Sequence, residues 1–404
     1  MQEFTGKQYL QMDIAANYGN NMDKALWSER LKWFEENQHQ LRELVKTAEE
    51  PALFYAGITA WEDTQNGIPS GYPISLDATC SGLQLLAVLT GDRSAARLCN
   101  VISTGSREDA YTYIYQYMVA MLGEVGQITR AKTKDAIMTA FYGSQAVPKE
   151  VFGKGKLLGI FYDTMKTLCP AAWKLNELYL MIWNPNVAKY SLVFPDNFHA
   201  HLKVMTQIQE TVHFLNKPYD VFKNVNAPME GGRSLGANTN HGCDGMVVRE
   251  MGRRCNYNPK VINYIRSLVT CPDEWTRDEK LDPDETELLE ILLAHYAETK
   301  YLSARIFDCI TINNIHLVPQ ADLVELLESL PAKPFEVISV HDCFRCLPNY
   351  GNDLRKQYNR QLYLIARSDL LSSLLSQLMG SKQKIAKLDP NMFKDILSTD
   401  YALS

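Results

Sequence analysis

Only two short stretches of this 404-residue chain read as β-strands, and each leads to an aspartate. Residues 72–77 run Tyr-Pro-Ile-Ser-Leu-Asp; residues 335–342 run Phe-Glu-Val-Ile-Ser-Val-His-Asp. The first opens into Ala-Thr-Cys-Ser-Gly, a small-residue turn that feeds a helix. The second precedes Cys-Phe-Arg-Cys-Leu-Pro and reads as one arm of a hairpin. Elsewhere the apolar period is helical. Leu26, Leu31, Trp33, Phe34, Leu41 and Leu44 recur at near-helical spacing within residues 26–49. The pattern returns over residues 109–122, 134–142, 170–182, 285–307 and 320–330. Many helices around a small sheet make an α+β layout rather than alternating βα units.

Composition narrows the class. Hydrophobic residues are 46% and charged residues 22%, which excludes a disordered chain. The length suits about two to three domains. Lys plus Arg number 41 against 47 Asp plus Glu, a net charge of −6. The total carries no nucleic-acid footprint, although a local basic patch fits inside an acidic total. Nine scattered cysteines, an odd count, argue against a disulfide framework and for a reducing compartment. No basic start leads into an apolar run, and no apolar stretch approaches about 18 residues, so neither a signal peptide nor a membrane span is expected. The acidic run 272–287 reads as a solvated loop entering a helix.

Three local sequences carry chemistry. Asp77 ends the first strand, where a carboxylate beside backbone carbonyls such as that of Ala78 suits a hard divalent cation; a turn or helix cap is the plain alternative. Arg130, Lys134 and Tyr142 are spaced four and eight apart and share one helix stripe. Two cations with an aromatic hydroxyl suit a triphosphate with its sugar; a solvated basic face is the alternative. His341-Asp342 is a metal carboxylate, an acid/base pair or a turn, and two carboxylates brought together would serve a pair of Mg²⁺ ions. Cys343 and Cys346 invite a zinc reading, but no second cysteine pair at suitable spacing accompanies them.

Taken in order, the three resemble motifs A, B and C of the single-subunit RNA polymerases of phages and mitochondria. Asp77 to Gln84 is similar to motif A, Asp-Gly/Ala-Ser/Thr-Cys-Ser-Gly-Leu/Ile-Gln. Arg130, Lys134, Tyr142 and Gly143 have the motif B spacing, and His341-Asp342 is similar to motif C. The resemblance implies two Mg²⁺ ions on Asp77, Asp342 and the Ala78 carbonyl. It implies Arg130 and Lys134 on the triphosphate, Tyr142 at the ribose and His341 near Asp342. Residues 29–37 resemble the palm-insertion helix, whose lysine would be Lys32 and would reach the nucleotide. Asp109-Ala110-Tyr111 resembles the start of the fingers, with Tyr111 near the nucleotide. His241 and Asp244 lie in a segment similar to Asn-x-x-His-x-x-Asp-Gly, which with Gly143 faces the nucleic acid; His316 is a competing histidine. The end of the chain, residues 400–404, is similar to an aromatic foot that packs back near the active site.

The fold implied is a right hand: an antiparallel palm sheet and helical fingers, without N-terminal domain or thumb. The expected divisions are palm with insertion at 1–92, fingers at 93–254, an atypical helical insertion at 255–330, and palm completion with motif C and foot at 331–404. A promoter-reading hairpin is expected within 206–236, where no motif match is visible. Asp-x-x-Gly-Arg, which contacts the hybrid in this family, is missing. The chain therefore resembles the larger subunit of the two-subunit RNA polymerases of certain lytic phages that transcribe middle genes. That implies a second subunit carrying thumb and N-terminal domain, a DNA template, an RNA transcript and ribonucleoside triphosphates. It also implies a single-stranded DNA-binding protein for promoter opening, and the cytoplasm of an infected bacterium. A right-hand DNA polymerase and a non-catalytic nucleic-acid clamp are the competing readings; Asp-Ala-Thr-Cys-Ser-Gly in place of Asp-Tyr-Ser-x-Ile-Glu disfavours the former.

Overall fold

The structure, a computed structural model, describes residues 1–123, 128–272, 275 and 283–404. Most of the acidic run 272–287 lies outside the described residues. Helices α1 (Gly6–Tyr18), α2 (Trp27–Asn37), α3 (Leu41–Leu44) and α4 (Pro51–Gln65) form the first layer. They bury a small cluster around Leu10, Ile14, Phe34, Phe54 and Ile58. Strand β1 (Ile74–Asp77) follows, then α5 (Ser81–Thr90), α6 (Arg93–Leu98), α7 (Ala110–Leu122), α8 (Arg130–Phe141), α9 (Ala146–Phe152), α10 (Lys156–Leu168) and α11 (Pro170–Met181). Two hairpins come next, β2 (Lys189–Val193) with β3 (His199–Lys203), and β4 (Met205–Phe214) with β5 (Lys217–Asn226). Helix α12 (Ser234–Cys255) leads into α13 (Pro259–Thr270), α14 (Pro283–Thr299) and α15 (Gln320–Glu328). Strands β6 (Ile338–Val340) and β7 (Cys343–Cys346) and helices α16 (Gly351–Arg367) and α17 (Leu370–Met379) complete the chain.

The two strands read from sequence meet in one antiparallel sheet of order β1-β7-β6. The second run is shorter than expected, because β6 spans three residues and β7 takes the Cys-Phe-Arg-Cys segment. Ile74, Leu76, Phe344 and Cys346 are buried on one face. Side chains alternate along a strand, so Ser75, Asp77, Cys343 and Arg345 fall on the other face. Cys343 and Cys346 are an odd step apart on one strand. They point to opposite faces, both are free thiols, and neither serves a shared metal.

Helix α5 is the central element. All its residues from Gly82 to Thr90 are buried, and it touches α11, α12 and α16. Gln84, fully buried, donates to the carbonyls of Cys99 and Ala402 at 2.9 Å each and accepts from the Tyr358 hydroxyl at 2.7 Å. This amide of the first motif is thus a structural clamp. The main apolar core runs from Phe4 to Leu403 and joins residues on both sides of position 92 without a break. Residues 257–330 hold a separate cluster built on Ile262, Ile265, Leu292, Ile306 and Leu323.

The β4–β5 hairpin is ten residues per strand and almost wholly exposed. Its turn residues Leu215 and Asn216 are both left-handed, at φ 48° and 61°. Helical periodicity gave no sign of it.

Asp92 ties two helices together. Its carboxylate accepts from the amide of Ala95 at 3.1 Å, capping α6, and from Ala171 and Ala172 at 2.8 and 3.1 Å at the start of α11. No part of Asp92 is exposed. Removing it leaves buried N–H groups unpaired at two helix starts. Asp92→Ala is expected to cost about 3–5 kcal/mol in urea unfolding; a loss under about 1 kcal/mol would mean water replaces the carboxylate.

Candidate active site

The sheet register sets Asp77 opposite Cys343 and therefore one residue from Asp342. The Ala78 amide donates to the Asp342 carbonyl at 3.1 Å, which locks the two strand tips together. His341 and Asp342 form the two-residue turn between β6 and β7, and His341 takes the left-handed first position at φ 57°. Its ring is exposed, and no hydrogen bond joins it to the Asp342 side chain. Residues 402–404 run antiparallel along 77–79: Ser404 N–H donates to the Asp77 carbonyl at 2.9 Å, and Thr79 N–H to that of Ala402 at 3.2 Å. Tyr401 stacks on Trp27 at 5.5 Å between ring centres, and its carbonyl accepts from the Thr79 hydroxyl. The terminal segment therefore packs directly on the first motif.

Burial raises Asp77 above the ordinary carboxylate range; a hydrogen bond with the Cys343 thiol works against this, and the Asp342 charge adds to it. Among the described residues no donor bonds the Ala78 carbonyl, and no group of three His, Cys, Asp or Glu side chains forms a metal cage. Two carboxylates and a free carbonyl are hard oxygen donors. They fit Mg²⁺, which takes one or two carboxylates and fills its remaining positions with water and phosphate oxygens. They do not suit zinc.

Asp77, Ala78, Tyr111, Arg130 and Lys134 line one cleft of about 680 Å³. Arg130 ion-pairs with Asp109 and bonds the Thr112 hydroxyl at 2.6 Å. Asp109 caps α7 through the amides of Tyr111 and Thr112 at 3.0 and 3.2 Å. Burial works against its charge, but hydrogen bonds from Thr112 and Arg130 hold it below its usual value. Sequence reasoning marked this Asp-x-Tyr for its tyrosine; the aspartate proves to aim the arginine. Lys134 lies over the Tyr111 ring at 5.5 Å, and the Tyr111 hydroxyl meets the Cys80 sulfur at 3.3 Å.

Lys32 is not in this cleft. It is 74% exposed and pairs with Glu36 at 3.8 Å, one turn along α2. The helix turns it outward, and Lys24, just before α2, lines the cleft instead. The cleft also holds Asp13, Arg107 and Arg345, which no motif marks, and Arg30 from the segment 29–37, whose marked residue is Lys32. Arg30 bonds the carbonyls of Asp23 and Ala25 at 2.6 and 3.3 Å, and burial, with the Arg107 charge, lowers it to about 9.

Tyr142, Gly143 and His241 line an adjoining cavity of about 480 Å³. Tyr142 caps α8 and packs on the His241 ring at 4.8 Å between centres. A Cβ at Gly82 would come within 2.9 Å of the Tyr142 hydroxyl, so the glycine of the first motif makes room for this tyrosine. Gly143 follows at φ 82°, where glycine carries no strain. Burial pushes Tyr142 up to about 12; the Asp244 charge adds to this and a Ser81 hydrogen bond opposes it. Asn240 donates to the Gly82 carbonyl at 3.2 Å, tying α12 to α5. His316 lies in the separate cluster region, on the short turn Ile315–Leu317, away from these residues.

Asp244 stands near this group. Burial first, and the Asp342 charge second, push it up to about 7. A carboxyl raised in the folded state above its unfolded value favours folding fully only at low pH. That contribution is lost as pH rises through about 7. Asp244→Asn, without divalent cations, is therefore expected to raise the melting temperature at pH 8 by a few degrees and to change it little at pH 4; equal shifts at both pH values would contradict the burial of this carboxyl.

Comparison with known proteins finds relatives of the kind the motifs resemble. Residues 2–157 match the family described as DNA-dependent RNA polymerase. A "Probable DNA-directed RNA polymerase" of Gelasinospora sp. (strain G114) is 21% identical over 398 residues, 89% of this chain and 42% of that protein. One of the same description from Podospora anserina is 22% identical over 421 residues, 97% of this chain and 40% of that protein. A third, from Neurospora crassa, is 28% identical over 161 residues, 34% of this chain and 18% of that protein. Each match likens the chain to proteins described as DNA-dependent or DNA-directed RNA polymerases. The chain spans less than half the length of these relatives.

Proposed function

We propose that this chain is the catalytic part of a DNA-directed RNA polymerase, making RNA on a DNA template by nucleotidyl transfer. The observation that carries the reading is the meeting of two strand tips, with Asp77 opposite Cys343 and so one residue from Asp342, and Asp77 lining the same cleft as Arg130 and Lys134. Two Mg²⁺ ions on Asp77, Asp342 and the Ala78 carbonyl would lower the pKa of the RNA 3′-hydroxyl and neutralise the departing pyrophosphate. Asp109 holds Arg130 forward to grip the triphosphate. Lys134 adds charge and can donate a proton to the pyrophosphate. Tyr142 selects ribose through its hydroxyl, while His241 packs behind it and, with Asp244, faces the hybrid. His341 would meet the primer end.

In this reading the β1-β7-β6 sheet is the palm, the helices from α6 to α12 are the fingers, and residues 255–330 are an insertion. The exposed β4–β5 hairpin falls in the stretch where the resemblance expects a promoter-reading loop, and we assign it that role. A second subunit would bring thumb, N-terminal domain and the Asp-x-x-Gly-Arg segment. This part of the reading rests on the resemblance to the two-subunit phage polymerases. With it come a single-stranded DNA-binding protein for promoter opening and action in the cytoplasm of an infected bacterium. The test is extension of an RNA primer on a DNA template, with ribonucleotides and deoxyribonucleotides compared.

A further inference from the structure

We propose that Arg345 is a phosphate-binding residue of the cleft, gripping a phosphodiester of the RNA strand whose end meets Asp77 and Asp342. The identity of the strand rests on the polymerase reading above; the phosphate site rests on the geometry alone. Arg345 lies on β7, paired with Ser75 on one side and Ile338 on the other. Alternation along β7 buries Phe344 and Cys346 and turns Cys343 and Arg345 to the cleft. The same sheet face thus presents Asp77, Cys343 and Arg345 together. The Nε of Arg345 is buried without a well-formed hydrogen bond, while the half-buried guanidinium sits beside the Cys343 thiol and works to lower its pKa.

The nearby acids do not supply one. Asp13 is 5% exposed and already accepts from the Ser75 amide at 2.8 Å, the Tyr72 hydroxyl at 2.7 Å and the Asn17 amide at 3.0 Å. The Arg345 charge favours ionisation of both Asp13 and Asp77, yet among the described residues no ion pair joins Arg345 to either. A guanidinium cannot shed its proton to escape burial. A charged fork held against a thiol, with its accessible side on the cleft, gains when an anion arrives there. The planar fork of arginine accommodates two oxygens of one phosphate at once.

Position selects the strand rather than the triphosphate. Arg130 and Lys134 reach the cleft from α8, whereas Arg345 comes from the strand that carries Asp342 at its head. At about 3.3 Å per residue, Arg345 lies about 10 Å along that strand from Asp342. A polymer held there passes the carboxylates with its end and Arg345 with a phosphate behind the end.

The experiment compares Arg345→Gln and Arg345→Lys in the full chain, with its second subunit where extension requires one. A labelled RNA–DNA hybrid is titrated between about 50 and 200 mM salt, and the nucleotide KM is measured in parallel. Arg345→Gln should weaken hybrid binding about tenfold and flatten the log–log salt slope by about one, with nucleotide KM changed less than about twofold. Arg345→Lys should keep the slope and recover part of the affinity, which a merely structural arginine would not do. Unchanged affinity and slope in Arg345→Gln would overturn the proposal, and so would a loss confined to nucleotide KM. The polymerase reading fails separately, by absence of extension in the unsubstituted protein, and the salt slope still reports on Arg345 in that case.

Discussion

Asp342→Asn is expected to fold normally, bind an RNA–DNA hybrid nearly as well as the parent, and lose primer extension by about a thousandfold or more. The substitution keeps the side chain's size. It also keeps the backbone carbonyl that accepts from Ala78 and fixes the turn against β1. What it removes is charge at the meeting point of the two strands, where ions that neutralise the reacting phosphate would bind. A thousandfold loss corresponds to about 4 kcal/mol of transition-state stabilisation, the scale of electrostatic stabilisation by bound metal. Asp77→Asn should act alike. Burial already disfavours the Asp77 charge, so this variant should melt no lower than the parent. Melting curves, hybrid titration and single-turnover extension together separate the chemical role from a structural one. Appreciable extension by either variant would remove the carboxylates from the reaction.

Tyr142→Phe is expected to keep extension and relax the preference for ribonucleotides by about ten- to a hundredfold. The ring packs on His241, and Gly82 leaves room for its tip. Phenylalanine preserves that packing and deletes only the hydroxyl. A site arranged to hydrogen-bond a sugar hydroxyl rejects the analogue that lacks it, because its own polar group is left unpaired. The kcat/KM ratio for ribo- against deoxyribonucleotides is the measurement. An unchanged ratio would take Tyr142 out of sugar selection and leave it a packing residue of α8.

Much of this site is legible in the sequence because strand tips and helix stripes follow simple periods. The run 72–77 becomes β1, and the motif B spacing becomes α8 with Tyr142 as its cap. The small residues after Asp77 also have a visible reason once Tyr142 is seen over Gly82. Other features leave no local trace. Lys32 and Lys24 are both basic residues near one helix; Lys24 meets the cleft from the turn before α2, and the rotation of α2 carries Lys32 away from it. Asp13 reaches Ser75 from α1, and the β1–β7 pairing sets Ser75 opposite Arg345, joining positions far apart in sequence. The β4–β5 hairpin lacks the usual Asn-Gly or Asp-Gly turn signal, having Leu215 and Asn216 in left-handed conformations instead. Its strands show alternation, at Ile208, Val212 and Phe214, but no buried face to give that alternation meaning. The net charge of −6 is likewise an average. It runs over a cleft whose six basic side chains, Arg130, Lys134 and Arg345 among them, are matched by six acidic ones.

The most direct measurement is extension of a labelled RNA primer annealed to a DNA template, by the parent chain and by Asp342→Asn side by side. The expected result is template-directed addition of ribonucleotides that requires Mg²⁺, with deoxyribonucleotides used far less well, and no addition by Asp342→Asn. A parent protein that binds the hybrid and adds no nucleotide, or a variant that extends as well as the parent, would contradict it.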